Sequence, residues 1–254
     1  KYFDDYWNQI DVLGIDIFEL IHHTRHFDHH SSKAHKSCLK RYLLAKDKGK
    51  KYLNLNGRTR PNKQCLLFYL AKNNLLEDGY VSNLFADKDN LIDETMFENY
   101  NFDNSKYEDF KKICPPRMEL DNILSDRSSE SPVELYNNSI YSLVSETFTG
   151  DTVRFITEKT YKPMLMGHPF LIFGTTKTLD LIQQRGYYTF PELFDESYDS
   201  ETESKNSLRI IIENVKCNNI KLSKSIVKKL KHNQMHFLSL PSKSILKDQL
   251  RKFL

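Results

Sequence analysis

Cysteine is scarce and scattered in this chain of 254 residues. Its four cysteines, Cys38, Cys65, Cys114 and Cys217, form no C-x-x-C pair. That spacing argues against a zinc ribbon and against a small disulfide scaffold, and it fits a reducing compartment. Glycine and proline number only eight each, against many Asn and Lys, a bias that an AT-rich coding sequence explains without reference to function. Excess charge of one sign is also missing. Lys and Arg total 37 and Asp and Glu 34, so no nucleic-acid or membrane partner is forced. No apolar run reaches the length of a transmembrane helix, no signal peptide is visible and no internal repeat is found. The chain starts on Lys1 rather than Met, so residues missing upstream are an open expectation.

Core-forming residues are present in quantity. Hydrophobic residues make up 39% of the chain and aromatics 12%, which excludes disorder by composition. Residues 1–50 read as helical. Apolar residues recur at helical spacing from Asp16 to Ile21, and residues 37–48 form a second helix with Leu39, Leu43 and Leu44 on one face. Lys51 to Asn56 alternates like a strand, Gly57-Arg58-Thr59-Arg60 is a loop, and Pro61 opens a helix running to about Leu76. Tyr80-Val81-Ser82 starts another strand. Residues 86–130 are acidic and turn-rich, an excursion or hinge.

Regular patterning resumes with a short helix at 132–138 and a strand from Ile140 to Phe148. Thr157 caps a helix to Met166 containing a kinking Pro163, and Gly167 sits at its left-handed end. Pro169 to Gly174 is a short buried strand. Thr178 caps a further helix closed by Gly186, and Tyr187 to Phe190 is extended. This order predicts an α/β fold with a Rossmann-like parallel sheet, flanked by helical N-terminal and C-terminal segments. The expected organisation is a helical segment at 1–50, a ligand-binding domain at 51–204, and C-terminal helices at 205–254 packed on it.

In open parallel sheets, ligands bind beyond the carboxyl ends of the strands. Two loops fall there: Gly57 to Arg60, and Glu146 to Lys159. Lys159 lies in the first turn of the helix capped by Thr157, where a cation opposes the helix dipole by roughly 0.3–1 kcal/mol when exposed. A bound anion removes that cost, and free N–H groups point at the same place. A diphosphate gripped by Lys159, Arg58 and Arg60, with Glu158 accepting from ribose or sugar hydroxyls, is the chemistry this pattern suggests. Each residue alone is more often a solvated surface residue.

Three stretches carry the likeness to a known family. They are Tyr141 to Thr147 (YSLVSET), Phe155 to Lys159 (FITEK) and Pro169 to Gly174 (PFLIFG). In order and spacing, residues 131–174 resemble the donor-binding signature of α1,3-fucosyltransferases. Leu53 to Pro61, Tyr80 to Ser82 and Phe190 to Asp199 resemble bacterial and viral fucosyltransferase-like proteins. The resemblance covers about two-thirds of the chain.

It implies a GT-B fold and a nucleotide diphosphate sugar as donor, with a glycan or protein as acceptor. The reaction would be metal-independent, inverting transfer without a cofactor. Glu158 matches the family's sugar- or ribose-contacting Glu, Lys159 its phosphate-contacting Lys, and Glu146 the Glu of a Glu-Asn pair. Thr147 stands where the Asn would, which leaves base and sugar open. Arg58, Arg60, Glu146, Thr157, Glu158 and Lys159 are thus the expected donor-binding residues.

An inverting enzyme also needs a carboxylate base. Asp16, Glu19 and Asp28 are the nearest candidates, none singled out. Only about fifty residues precede the first β-α unit, so the acceptor domain is expected to be truncated, reduced or supplied by another chain. The alternative is a non-catalytic protein that keeps this fold for binding or assembly, such as a viral structural component. The expected location is the cytoplasm of a bacterium or of a virus-infected host, or a virus particle.

Three other features carry less. His22, His23, His26, His29, His30 and His35 include helical i, i+4 pairs that could share a metal, but no Cys or Glu completes a signature. They read as a polar helix surface or an acceptor-facing loop, and no metal site is expected. Asp87-Lys88-Asp89 lies in an acidic loop rather than after an apolar strand, and reads as solvated. The lysines from Lys221 to Lys243 interleave with Leu222, Ile226, Val227 and Leu230, as in an amphipathic helix packed on the sheet. A nucleic-acid partner is not expected, since aromatic interleaving is nearly absent there.

Overall fold

The computed structural model describes residues 37–44, 49–56, 60–83, 133–151, 154, 156–217 and 220–239. Four strands form one all-parallel sheet: β1 (Lys50–Asn54), β2 (Gly79–Val81), β3 (Ser139–Gly150) and β4 (Phe170–Thr175). Their order across the sheet is β2-β1-β3-β4. The described helices are α1 (Cys38–Leu44), α2 (Pro61–Lys72), α3 (Val133–Asn137), α4 (Glu158–Met166), α5 (Thr178–Gln184), α6 (Ser204–Lys216) and α7 (Lys224–Leu238). This α/β architecture is consistent with a Rossmann-like fold.

A parallel sheet must be covered on both faces, and β4 is accordingly apolar without alternation. Phe170, Leu171, Ile172 and Phe173 are all buried. Side chains of β3 serve the two faces in turn. Tyr141 packs edge-on against Phe194, whereas Ser142 bonds His168 at 2.8 Å. His168 also meets Tyr42 of α1 and Tyr136 of α3 edge-on. Helices α1, α3, α4 and α7 pack on one another, while α6 packs on α2, β3 and β4.

Local signals set the start and stop of α4. Thr157 is its extended N-cap and accepts the Lys159 N–H. Gly167 is left-handed at φ 65°, and the His168 N–H closes on the Pro163 carbonyl at 2.9 Å. Gly79 has a different reason to be glycine. It pairs with Tyr52, and a Cβ there would lie 2.3 Å from the Tyr52 ring.

Several sequence expectations need correction. Helix α2 ends at Lys72 rather than near Leu76, because Asn74 turns left-handed at φ 55° and Leu76–Asp78 forms a separate 3-10 turn. On α1 the buried face is Cys38, Leu39 and Tyr42, while Leu43 and Leu44 are exposed. Thr178 is the first residue of α5, not its cap. Lys177 holds the cap position in a left-handed conformation, and the Asp199 carboxylate, 20 residues away, accepts the Leu179 N–H. Tyr187 to Phe190, read as extended, lies outside the sheet. The Tyr188 backbone instead exchanges two hydrogen bonds with the Asn233 side chain of α7, an amide standing in for a neighbouring strand.

Helix α7 buries Ile226, Leu230 and Phe237 as an amphipathic helix should, but it rests on α4 rather than on the sheet. Gln234 fixes that contact through the Leu165 carbonyl at 2.9 Å. No helix among the described residues is long and apolar enough to cross a membrane. The histidines between His22 and His35, the Asp87-Lys88-Asp89 triplet and the candidate bases Asp16, Glu19 and Asp28 lie outside the described residues.

Candidate functional site

The strand order creates a crevice. From β1 the chain passes through α2 to β2 on one side, and from β3 it passes through α4 to β4 on the other. Strands β1 and β3 are neighbours, so their outgoing connections diverge. Such a switch point is where open parallel sheets bind ligands. The N-terminal first turns of α2 and α4 flank it.

A break in the β3–β4 ladder shapes the β3 side. Pairing runs from Ser142↔Phe170 to Ser145↔Phe173, and then resumes only at Gly150↔Thr175. Strand β3 thus spends five steps where β4 spends two, and the residues from Glu146 to Thr149 bulge from the ladder. Bulges re-aim side chains in this way.

Glu146 is fully buried. Its Oε1 accepts the Thr157 N–H at 3.0 Å and the Thr160 hydroxyl at 2.6 Å. Its Oε2 accepts the Thr157 hydroxyl at 2.7 Å and the Thr147 N–H at 3.2 Å. These four donors match the acceptor capacity of a carboxylate. Glu146 therefore ties the bulge to the first turn of α4, and acts on the crevice by holding that turn rather than by facing it. Its backbone carbonyl accepts from Asn62 Nδ2 of α2 at 2.8 Å, which joins the two helix starts.

Thr157 is the hub of this junction. Its hydroxyl donates to Glu146 and accepts from both the backbone N–H and the ammonium of Lys159, at 3.3 and 3.1 Å. The Lys159 ammonium also donates to Thr147 Oγ1 at 3.2 Å and lies 3.9 Å from the Glu158 carboxylate. Two hydroxyls thus hold the ammonium over the helix N-terminus. Glu158 is more open, with 41% of its side chain exposed.

Across the crevice, Arg60 is the extended N-cap of α2, and no side chain of its own caps the helix. Three residues on, Lys63 is buried. Its pKa is lowered from 10.5 to about 7, first by burial and then by the positive charges of Lys159 and Arg60, with Glu146 and Glu158 pulling the other way. Lys162 of α4 is shifted down as well, mainly by burial, with Glu158 raising it and Lys159 adding to the depression. The structure therefore brings Arg60, Thr157, Glu158 and Lys159 to one crevice with Glu146 beneath it. Arg58 lies outside the described residues.

Sequence reasoning overlooked Lys63, Asn62, Thr160 and Lys162. For Lys63 a signal existed: it sits in a helix first turn just after an initiating Pro61, the same dipole-opposing placement that marks Lys159. Burial of its ammonium is a tertiary fact. Among the described residues no group of three or more His, Cys, Asp or Glu is arranged to hold a metal ion. No protein-family model matches this chain, and neither a curated protein nor a solved structure matches it.

Proposed function

We propose that this chain is the donor-binding part of a fucosyltransferase-like, GT-B glycosyltransferase. It would take a nucleotide diphosphate sugar and pass the sugar to a glycan or protein acceptor, without a metal and with inversion. One observation carries the reading: Lys63 and Lys159 occupy the first turns of two helices on opposite sides of a switch-point crevice. Both cations oppose the dipoles they sit on and repel each other. A diphosphate between them reverses both effects and meets the helix N–H groups as well. In sugar transfer, the same charges would stabilise the departing diphosphate, which is where negative charge develops.

Glu158, at the rim, would accept from ligand hydroxyls. No acceptor site and no general base is assigned. A second reading, a non-catalytic binding or assembly protein, is favoured by one feature. The crevice carboxylate that the resemblance highlights, Glu146, is consumed by internal hydrogen bonds.

Melting temperature and calorimetry with pyrophosphate, GDP, UDP, ADP, CMP and their sugars test the proposal. A ligand that binds only the folded state raises the melting temperature. Selective stabilisation by one nucleotide, lost in Lys159→Ala, is the expected result, followed by hydrolysis or transfer of that sugar. Binding without turnover in the presence of acceptors selects the second reading. No stabilisation of a folded sample by any of these ligands overturns the enzyme reading and leaves the assembly reading.

A further inference from the structure

Beside the cationic crevice runs a strip of buried amides that the diphosphate does not use. Asn54, Asn56, Gln64, Ser82 and Asn83 are each at most 2% exposed. They sit at or just beyond the C-terminal ends of β1 and β2, with Gln64 in α2 next to Lys63. Asn54 Nδ2 donates to the Leu143 carbonyl and to Ser145 Oγ, which extends the strip to β3. Asn56 Nδ2 donates to Asn54 Oδ1 and to the Ser82 carbonyl. The Asn56 N–H donates to Ser82 Oγ at 2.7 Å, and Gln64 Nε2 donates to Asn83 Oδ1 at 2.9 Å.

The strip holds unsatisfied atoms of both polarities. Asn56 Oδ1 and Gln64 Oε1 are buried and accept no hydrogen bond, and Asn83 Nδ2 is buried and donates none. Buried polar atoms are ordinarily satisfied, and an orphan in a folded chain calls for a partner. Two acceptors and one donor within one strip are met by groups that both donate and accept, as hydroxyls do. An apolar group is excluded. Both oxygens are covered in the free chain.

We infer that the Asn56–Gln64 strip is the subsite for a hydroxyl-bearing ring, the ribose or the sugar, attached to the diphosphate held by Lys63 and Lys159. This rests on the diphosphate reading of the crevice. Its placement rests on a shared edge: the strip lies at the C-terminal ends of β1 and β2, the edge that also carries the crevice, and Gln64 belongs to the same first turn of α2 as Lys63. Ring hydroxyls supply the donors that Asn56 and Gln64 lack.

The test uses the full chain, labelled for NMR of side-chain amides and titrated in separate arms. Pyrophosphate probes the cations alone. Uridine, guanosine and free monosaccharides probe the strip alone. Nucleoside diphosphates and their sugars probe both. The expected result is movement of the Asn56 and Gln64 amide signals with the ring-bearing ligands and not with pyrophosphate. In Gln64→Met, the preference for a nucleoside diphosphate over pyrophosphate falls by about tenfold while pyrophosphate affinity is unchanged, as expected when a donor–acceptor match is lost.

An unchanged preference in a folded Gln64→Met, with unmoved wild-type amide signals, overturns the inference and leaves the strip a structural, water-filled network. If the variant does not fold, the wild-type signals decide alone. Failure of pyrophosphate to bind while uridine, guanosine or a monosaccharide moves the amides would sink the diphosphate reading and keep the strip. If the nucleosides, the monosaccharides and the nucleotides all leave the amides unmoved, the subsite is overturned, whatever pyrophosphate does.

Discussion

The Thr160 hydroxyl of α4 donates to the buried carboxylate of Glu146 at 2.6 Å, one full turn beyond the Thr157 cap that binds the same carboxylate. A charged group without exposure is tolerable only when its hydrogen bonds are complete. Here four donors complete them, and two of the donors are backbone N–H groups that cannot reverse their polarity.

Glu146→Gln should therefore be costly despite its equal size. The new amide group would face donors on every side and leave at least one N–H unsatisfied. Hydrogen bonds to a charged group are worth about 1.5–3 kcal/mol each, so a loss of about 3 kcal/mol in folding stability is expected. Urea denaturation checks it. Nucleotide binding should fall along with stability, because the first turn of α4 is no longer held.

Lys63 sets a pH dependence with a definite sign. Its folded pKa, about 7, lies below its ordinary 10.5. Between these values the unfolded chain binds more protons than the folded one, so this group's contribution to stability rises as pH increases from about 7 to 10.5. Below about pH 7 the ammonium is charged in both states and its full cost is present. Lys63→Met should stabilise the chain at pH 6 by on the order of a few kcal/mol, and the gain should shrink steadily towards pH 9.5. Denaturation of both proteins across that range is the measurement, and a pH-independent difference would contradict it.

Binding of an anion beside Lys63 should pull its pKa back up. At pH 8 the proposed diphosphate ligand would then be bound with proton uptake. Calorimetry in buffers of different ionisation enthalpy reads this as a slope in the observed binding enthalpy. The slope should vanish in Lys63→Met, whose affinity for pyrophosphate should drop by about tenfold, the loss expected for one charge-assisted contact.

Gly79→Ala tests the packing of β2 on β1. The added methyl group would lie 2.3 Å from the Tyr52 ring, which is fully buried and anchored through its hydroxyl to the Leu75 carbonyl at 2.8 Å. The ring has no room to retreat. Overpacking of this kind costs about 1–3 kcal/mol, visible as a lowered melting temperature. Tyr52→Phe combined with Gly79→Ala should not restore it, because the ring and not the hydroxyl makes the clash.

Legibility followed the range of the interaction. Thr157 and Gly167 were readable as the ends of α4 because capping involves atoms a few residues apart. The start of α5 was misread because its cap, Asp199, comes from 20 residues downstream. Tyr187 to Phe190 has strand composition, yet its backbone is satisfied by Asn233 of α7, a partner 45 residues away. Glu146 was legible as the residue that ends the apolar run of β3, but its enclosure was not, since nothing local says that two threonines will surround it.

The sequence by itself determined the alternation of strands and helices, the parallel α/β class, and the two loops at which polar and charged residues collect. Those are consequences of periodicity and of short-range turn chemistry. Only the tertiary structure decided that β1 and β3 lie side by side, so that two helix N-termini converge on one crevice. It also decided that Lys63 is buried within the electrostatic reach of Lys159, and that Asn56 and Gln64 keep acceptors without donors. Burial and strand order depend on contacts between residues far apart in the chain, and such contacts leave no period to read.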